Sequence, residues 1–185
     1  MTGNLTTDEE LMLKLGRQDM SALGELVRRH QDRVLEIAFR TLDKWDLAED
    51  VAQETFLRVH RAAGKYKPKA RFTTWLYRIV VNLCLDEKRR RARDGMPLED
   101  AALEAQAKPG CDLAAKKEIA KLVRTAVDGL PERQRIALVL HQYEGLSHSQ
   151  IAEATGWTGS SVESLLVRAY ANLRKKLVKM RYFAE

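Results

Sequence analysis

The sequence predicts an all-α protein, made of two small helical domains that a flexible linker joins. Apolar residues recur at helical spacing in nearly every periodic stretch, and the alternation typical of a β-strand is essentially absent. A segment rich in glycine, proline and acidic residues interrupts this pattern. The 185 residues are enough for two small domains. We therefore place the domains at residues 1–93 and 112–185, with residues 94–111 as the linker.

Four helices are predicted in the first domain. Thr7 and Asp8 can cap a short helix over residues 9–15. Glycine and proline within residues 64–69 break the pattern before the last helix. The three longer helices cover residues 21–40, 47–63 and 71–93. We expect their apolar stripes to form the core: Leu23, Leu26, Val27, Val34, Ile37 and Ala38, then Val51, Phe56, Leu57 and Val59, then Leu76, Ile79, Val80, Leu83 and Cys84.

Four further helices are predicted in the second domain. They cover residues 112–128, 131–142, 147–155 and 160–179. Pro131 suits the first position of its helix, where the missing N–H has no partner to lose. Ser147 with Gln150, and Ser160 with Glu163, have the spacing of a capping box. The linker is acidic and has no aromatic residue, and a transient helix over residues 98–107 is an alternative to an irregular segment.

The composition restricts the class of protein. A net charge of +6 favours a polyanionic partner, with nucleic acid ahead of an anionic membrane surface. Cys84 and Cys111 form no CxxC pair, so we expect a reducing cytoplasm and no disulfide scaffold. No signal segment or run of about 20 apolar residues is present, so no membrane insertion is expected. The scattered histidines and the missing nucleophile–base set argue against an enzyme, a metal site or a cofactor.

The last two predicted helices have the arrangement of a helix-turn-helix. Residues 156–159 form the turn, and the second helix presents short polar residues that permit close approach to a duplex. Arg168 has the length to reach guanine or a phosphate. The alternative is a helical hairpin with a solvated basic end. Independently of that choice, Glu163 can be the capping partner of Ser160 rather than a base contact, and the spacing favours the capping role. The residues that we predict to contact DNA here are Ser160, Ser161, Glu163, Ser164, Val167, Arg168 and Lys175.

Aromatic residues alternate with cations where the last helix of the first domain begins. Rings that stack on bases, beside cations that hold phosphates, are typical of sites for unpaired DNA. The alternative places Phe72 and Trp75 in the core and leaves the basic run as a solvated face. The residues predicted to bind DNA here are Lys65, Tyr66, Lys67, Arg71, Phe72, Thr74, Trp75, Arg78, Asn82, Arg89, Arg90 and Arg93.

The helix over residues 47–63 begins with an acidic face. Asp50, Gln53 and Glu54 lie three and four residues apart, so they share one side of the helix. Acids suit a basic protein partner better than DNA. The alternative is that these charges only favour the N-terminal end of the helix dipole. With Phe56, these three residues are our predicted protein-docking site.

Two sets of motifs resemble the extracytoplasmic-function (ECF) sigma factors. Asp50-Val-Ala-Gln-Glu-Thr-Phe56, with residues 72–79 and Asn82, resembles region 2 of this family. Residues 130–135, 145–147, 151–152 and 162–174 resemble region 4. The resemblance covers residues 10–93 and 112–178 and explains the linker, because the family lacks the domain that larger sigma factors carry there.

The resemblance implies a role for each site. The acidic residues would dock on the clamp helices of the largest subunit of core RNA polymerase. The aromatic and basic residues would bind the melted −10 promoter element, with one base flipped into a pocket, and the last helix would recognise the −35 element. An anti-sigma factor that clamps both domains is the family expectation. Glu163 and Leu165 stand where the family commonly has basic residues, so the −35 preference does not carry over.

Two other functions compete with this interpretation. A stand-alone helix-turn-helix regulator explains residues 130–181 but not the acidic face or the aromatic residues. A sigma-like protein that binds polymerase or a regulator without directing initiation is suggested by Glu163 and Leu165.

Overall fold

The computed structural model of the chain describes residues 6–68, 71–94 and 113–182, with side chains over 119–178 in the last range. Within these ranges the chain forms eight helices, one 3-10 turn (Ala63–Lys65) and no strand, which confirms the all-α class. Residues 95–111 of the predicted linker, which include the alternative helix over 98–107 and Cys111, lie outside the described residues. The helices are α1 (Asp8–Gly16), α2 (Met20–Leu42), α3 (Trp45–Ala62), α4 (Phe72–Arg93), α5 (Leu113–Asp128), α6 (Glu132–Gln142), α7 (His148–Thr155) and α8 (Gly159–Tyr182).

The helices belong to two compact units, of which the first contains α1–α4. Its core lies where α2, α3 and α4 pack against one another. Leu26 and Ile37 of α2, Val59 of α3, and Leu76 and Val80 of α4 are each no more than 1% exposed. Each helix turns one stripe inward because its apolar residues recur every three or four positions. Most of the predicted core residues are thus confirmed as buried.

The helix α1 is short but well capped. The Thr7 hydroxyl accepts from the Glu10 backbone N–H at 3.2 Å, and the Glu10 carboxylate accepts from the Thr7 N–H at 2.9 Å. This reciprocal capping box satisfies two donors that a helix start would otherwise leave open. Met12 and Leu15 lie on the inner face of α1 and are 0% and 2% exposed.

The second unit is built on α5, α6 and α8. Val127, Leu130, Leu138 and Ala169 form its core cluster, and Leu173 packs against them. Because α6 is buried on most sides, its polar residues need partners. The Asn172 side-chain amide donates to the side-chain carbonyl oxygen of Gln134 at 2.9 Å. The buried Arg135 lies 3.7 Å from the Asp128 carboxylate.

The described helices begin within one or two residues of the predicted starts, and α3 and α6 show why. The helix α3 begins at Trp45, two residues earlier than the apolar stripe indicates. The helix α6 begins at Glu132, so Pro131 is the N-cap residue and not the first helical residue. Its φ of −52° fits either position, but its ψ of 140° is extended. The proline ring fixes φ alone, which is why the sequence leaves this choice open.

Candidate functional site

The acidic face of α3, formed by Asp50, Gln53 and Glu54, points away from the core. Asp50 and Gln53 are exposed and Glu54 is half-buried. Val51 and Thr55 lie on the opposite side of the helix and are buried. This division follows from the helical period, which separates residues one or two positions apart. The face therefore offers carboxylates to a partner without disturbing the core.

The Glu54 carboxylate already has partners on its own helix. It accepts from Arg58 Nε at 2.9 Å and lies 3.6 Å from Arg61 Nη1. Such surface ion pairs contribute at most about 1 kcal/mol, so a partner can replace them. Asp50 acts at longer range and contributes to raising the pKa of Arg90, although Glu87 is the main cause of that shift.

Apolar side chains lie on the outside of α3, and the sequence analysis assigned one of them wrongly. Leu57 was predicted in the core stripe but is 49% exposed. Phe56 is half-buried, and Ala48 and Thr55 take the inward positions instead. Trp45 is 44% exposed, and its indole N–H donates to Glu49 at 2.8 Å. Exposed apolar residues beside charged ones are typical of a protein-binding surface. A spacing of four residues from Trp45 to Glu49 and Gln53 was the signal that could have revealed this face.

Tyr66, Phe72 and Trp75 meet at the start of α4 and are called here the aromatic site. The ring centroids lie 5.4 Å apart for Tyr66 and Trp75, 5.9 Å for Phe72 and Trp75, and 6.5 Å for Tyr66 and Phe72. These distances are typical of edge and tilted aromatic pairs. The three rings therefore form one rigid cluster.

Only part of the aromatic site is accessible. Phe72 is 1% and Thr74 is 4% exposed, whereas Tyr66 and Trp75 are half-buried. The prediction that Phe72 and Thr74 contact DNA directly needs correction, because a base cannot reach side chains that the core covers. Phe72 instead packs against the Tyr66 and Trp75 rings from the core, in agreement with the alternative that placed Phe72 in the core.

Cationic residues close in sequence to the three rings are exposed: Lys65, Lys67, Arg71 and Arg78. Asn82, two turns further along α4, is exposed as well. The Tyr66 hydroxyl oxygen is buried and has no hydrogen-bond partner among the described residues. Burial raises the pKa of this hydroxyl, and the charges of Glu9 and Asp8 raise it further. The hydroxyl therefore stays protonated near neutral pH and keeps a hydrogen to donate.

The basic end of α4 is exposed but partly paired. Arg89 lies 3.2 Å from Asp86, and Arg90 lies 2.8 Å from Glu87. Arg93 is exposed too. Because exposed pairs one helical turn apart are weak, phosphate groups can compete with these carboxylates.

The helix α7 begins with the predicted capping box. The Ser147 hydroxyl accepts from the Gln150 N–H at 3.3 Å, and the Gln150 side chain accepts from the Ser147 N–H at 2.9 Å, which confirms the prediction.

The helices α7 and α8 meet at a tight turn. Gly156 adopts a φ of 75°, which glycine accommodates without strain. In the turn itself, the guanidinium of Arg133 lies 4.6 Å from the Trp157 ring centroid. This cation–π contact fixes the turn to α6.

The start of α8 differs from the prediction. Thr158, and not Ser160, caps the helix: its hydroxyl accepts from the Ser161 N–H at 3.2 Å. Glu163 therefore stands one turn inside the helix and cannot be the capping partner of Ser160. The alternative that assigned it this role was wrong, and its side chain is exposed.

The outer side of α8 is called here the recognition face. Val167 is 64% exposed although it is apolar. Tyr170, which the sequence analysis did not single out, is 41% exposed, and its hydroxyl accepts from the Gln142 side chain. Ser161 is half-buried, and the other predicted residues are exposed: Ser160, Glu163, Ser164, Val167, Arg168 and Lys175.

Two family models match the chain, one on each unit. Residues 26–94 match Sigma-70 region 2, and residues 120–173 match Sigma-70, region 4. The chain is also 36% identical over 172 residues to the ECF RNA polymerase sigma factor SigM of Mycobacterium tuberculosis, covering 92% of this chain and 85% of SigM. The chain belongs to the ECF sigma factors of the sigma-70 family.

Other relatives and solved structures agree with this assignment. The sigma factor is 38% identical over 173 residues to the ECF sigma factor SigE of Mycolicibacterium smegmatis, covering 86% of this chain but only 63% of SigE. A structure of CnrH in complex with the cytosolic domain of CnrY has a TM-score of 0.68 and 26% identity, covering 93% of this chain and 97% of CnrH. The sigma factor RpoE of Bartonella quintana, solved with the anti-sigma factor NepR, has a TM-score of 0.70 and 23% identity, covering 83% and 95% of the chains. The last likeness concerns the fold alone.

Metal sites and membrane-spanning helices are two further features that the described residues of this sigma factor could contain. No group of three histidine, cysteine, aspartate or glutamate side chains is placed to hold a metal ion in the part of the chain that the structure describes. Among those residues, no helix is long and apolar enough to span a membrane.

Proposed function

We propose that this sigma factor docks on core RNA polymerase through region 2 and directs promoter-specific initiation by binding the −10 and −35 elements. One observation carries the proposal: regions 2 and 4 occur in order on one chain, and each presents a surface of suitable chemistry. The acidic face and the aromatic site lie in region 2, and the recognition face lies in region 4. The catalytic step belongs to core polymerase, which the sigma factor steers.

The acidic face suits docking on polymerase. Asp50 and Gln53 are exposed, and Trp45 and Leu57 add apolar surface on the same helix. Apolar anchors with charged residues beside them are the usual makeup of a specific interface. Clamp helices with a basic surface would therefore complement α3.

The aromatic site suits the melted −10 strand. Tyr66 and Trp75 offer partly open rings for stacking, while Phe72 and Thr74 hold them from the core. Lys65, Lys67, Arg71 and Arg78 surround the rings with charge for phosphates, and Asn82 adds amide groups for a base edge. Stacking contributes about 1–3 kcal/mol per base and is available only to a base that has left the duplex. Binding here would therefore favour the melted state, with Arg89, Arg90 and Arg93 following the backbone.

The recognition face suits the major groove at the −35 element. Ser160 and Ser164 are short enough to let α8 approach the bases, and Arg168 is long enough to reach guanine. The exposed Val167 offers an apolar contact to a thymine methyl group. Lys175 lies further along α8, where a phosphate contact is expected.

A separate anti-sigma factor is the proposed regulator. RpoE was solved in complex with the anti-sigma factor NepR, and RpoE shares the fold of this chain.

We further propose that residues 1–93 and 112–185 act as two domains with residues 94–111 as the linker. Because a protein that directs transcription acts where the chromosome is, we propose that it is located in the cytoplasm.

Run-off transcription tests the function directly. Core RNA polymerase is incubated with promoter fragments of the source genome, with and without the purified sigma factor. New discrete transcripts are expected, and alignment of their upstream sequences would define both promoter elements. If the protein binds core but produces no transcripts, it is a sigma-like regulator-binding protein. If it binds duplex DNA tightly but not core, it is a stand-alone helix-turn-helix protein.

Replacing Arg168 with alanine is expected to weaken binding to the mapped −35 element about tenfold, because a guanine contact contributes about 1–3 kcal/mol. Binding to scrambled DNA should change much less. The measurement is anisotropy of labelled promoter duplexes with the assembled holoenzyme at fixed salt. Arg174→Ala is the matched control, since this exposed arginine on α8 is expected to contact phosphate only. Equal losses of the Arg168 variant on both sequences would reduce Arg168 to a phosphate contact.

A further inference from the structure

The helix α1 touches the chain on both sides of the aromatic site. Its C-terminal residue, Gly16, packs on the 3-10 turn that precedes Tyr66: a Cβ atom built on Gly16 would lie 2.7 Å from the Ala63 carbonyl oxygen. Real Cβ atoms do not approach backbone this closely, so only glycine permits the contact. This fixes α1 against the chain just before the first ring of the site.

The other contact is at the start of α4. Phe72 is the first residue of α4, and the N-cap residue Arg71 provides no side-chain cap. The first N–H groups of a helix have no partner within the helix. Here the Phe72 N–H donates to Glu9 Oε1 of α1 at 2.8 Å, across 63 residues of sequence. A carboxylate is well suited to this position, because the N-terminal end of a helix carries partial positive charge.

The helix α1 is itself anchored to α2. Asp8 Oδ2 lies 2.8 Å from Nε2 of the buried His30, and Asp8 Oδ1 accepts from Arg29 at 2.9 Å. The same guanidinium donates to the Thr6 carbonyl oxygen at 2.8 Å. The His30 ring in turn lies 5.3 Å from the Phe72 ring. Glu9 therefore extends from a rigid base, not from a frayed end.

The charges of Asp8 and Glu9 also influence Tyr66, whose ring is half-buried and whose hydroxyl oxygen is buried. The charges of Glu9 and Asp8 are among the causes that raise the pKa of Tyr66, after burial of the ring. An acidic pair beside a surface that binds a polyanion would repel DNA. Its presence needs a different explanation from a direct DNA contact.

We propose that α1 is a brace for the aromatic site, and that Glu9 is a positioning residue for promoter melting. Glu9 and Gly16 hold the two borders of the site so that Tyr66 and Trp75 stay in the arrangement that accepts an unpaired base. This inference rests on the proposed function of the site. It concerns a helix that precedes residue 26, where the match to region 2 begins.

The brace acts by preorganisation. When only a fraction of the molecules hold the competent arrangement, the apparent affinity falls by that fraction. Loss of a helix cap typically changes a local equilibrium about fivefold. Removing the Glu9 carboxylate should therefore weaken binding of a melted strand by up to about fivefold. Loss of the Glu9 negative charge has the opposite effect on affinity, because removing an acid near the strand would strengthen binding to DNA.

The test compares Glu9→Ala, Glu9→Gln and the control Asp32→Ala. All three variants remove one negative charge, but Asp32 is an exposed residue of α2, whereas Thr7 and Glu10 form the cap of α1 and Glu9 makes its contact with α4. The glutamine variant keeps an oxygen that can accept from the Phe72 N–H. The probe is a single-stranded oligonucleotide with the non-template −10 sequence of a mapped promoter, carrying 2-aminopurine at the melted position. Holoenzyme assembled at saturating core polymerase is titrated with this probe.

We expect Glu9→Ala to weaken binding by up to about fivefold and to reduce the 2-aminopurine signal, with Glu9→Gln close to the parent protein and Asp32→Ala unchanged or slightly tighter. Unchanged binding by Glu9→Ala, or an equal loss in Asp32→Ala, would overturn the brace. Trp75→Ala in the same titration separates the two proposals. If that variant weakens binding and Glu9→Ala does not, only the brace fails. If Trp75→Ala has no effect, the DNA-binding role of the site fails and the brace fails with it.

Discussion

Exchanging Asp50 and Gln53 for arginine is expected to weaken binding to core RNA polymerase by about a hundredfold without unfolding the protein. Both side chains are exposed, so the change leaves the core intact. Like charges brought together at an interface disfavour binding by several kcal/mol, and about 2.7 kcal/mol corresponds to this factor.

The matched control for this docking variant is the double exchange of Gln31 and Asp32 for arginine. These neighbours on α2 are exposed and undergo the same change of side chain and charge. Affinity for core is measured by competition with a labelled sigma factor, and folding is checked by thermal denaturation. Equal losses in the two variants would mean that net charge, and not the acidic face, controls binding. Unchanged affinity of the Asp50 and Gln53 variant would remove the docking assignment.

Replacing Trp75 with alanine is expected to weaken binding of the melted −10 strand by about tenfold or more. The indole is half-buried and packs on Tyr66 and Phe72, so its loss removes a stacking surface and loosens the Tyr66 ring. A stacked base contributes about 1–3 kcal/mol, which corresponds to about fivefold to a hundredfold in affinity. Trp75→Phe keeps an aromatic ring and should retain most of the binding.

Permanganate reactivity of unpaired thymines reports this loss on duplex promoters, and titration with single-stranded probe reports it without the melting step. Trp45→Ala is the control, because this tryptophan is also partly exposed in region 2 but lies on α3. Holoenzyme is preassembled at saturating core, so that any effect of Trp45 on docking does not enter. If permanganate reactivity falls while probe binding is unchanged, Trp75 acts on opening of the duplex and not on the unpaired base.

The roles of Phe72, Trp75 and Leu57 depend on how far each side chain is buried, and the local pattern did not predict that burial. Phe72 and Trp75 lie three residues apart on the same helix and share a composition typical of stacking sites. Yet one is 1% exposed and the other is half-buried, because His30 of α2 covers the Phe72 side. Leu57 follows the apolar pattern of α3 but is 49% exposed.

The sequence by itself determined the helical class, the inward stripes and the order of regions 2 and 4. These features depend on the period of the helix and on residues close together along the chain, so local patterns carry them. The Ser147 capping box was predictable for the same reason. At α8, however, Thr158 and Ser160 both satisfy the local rule for a cap, and only the path of the turn selected Thr158.

Only the tertiary structure decided which residues of distant segments meet. The Glu9 carboxylate reaches the Phe72 N–H across 63 residues, and no pattern within one helix predicts such a contact. The same holds for Gly16 against Ala63 and for Arg133 over Trp157. The physical reason is that a helix satisfies its own backbone and fixes its own faces, whereas the partner of each face is chosen by packing of the whole unit.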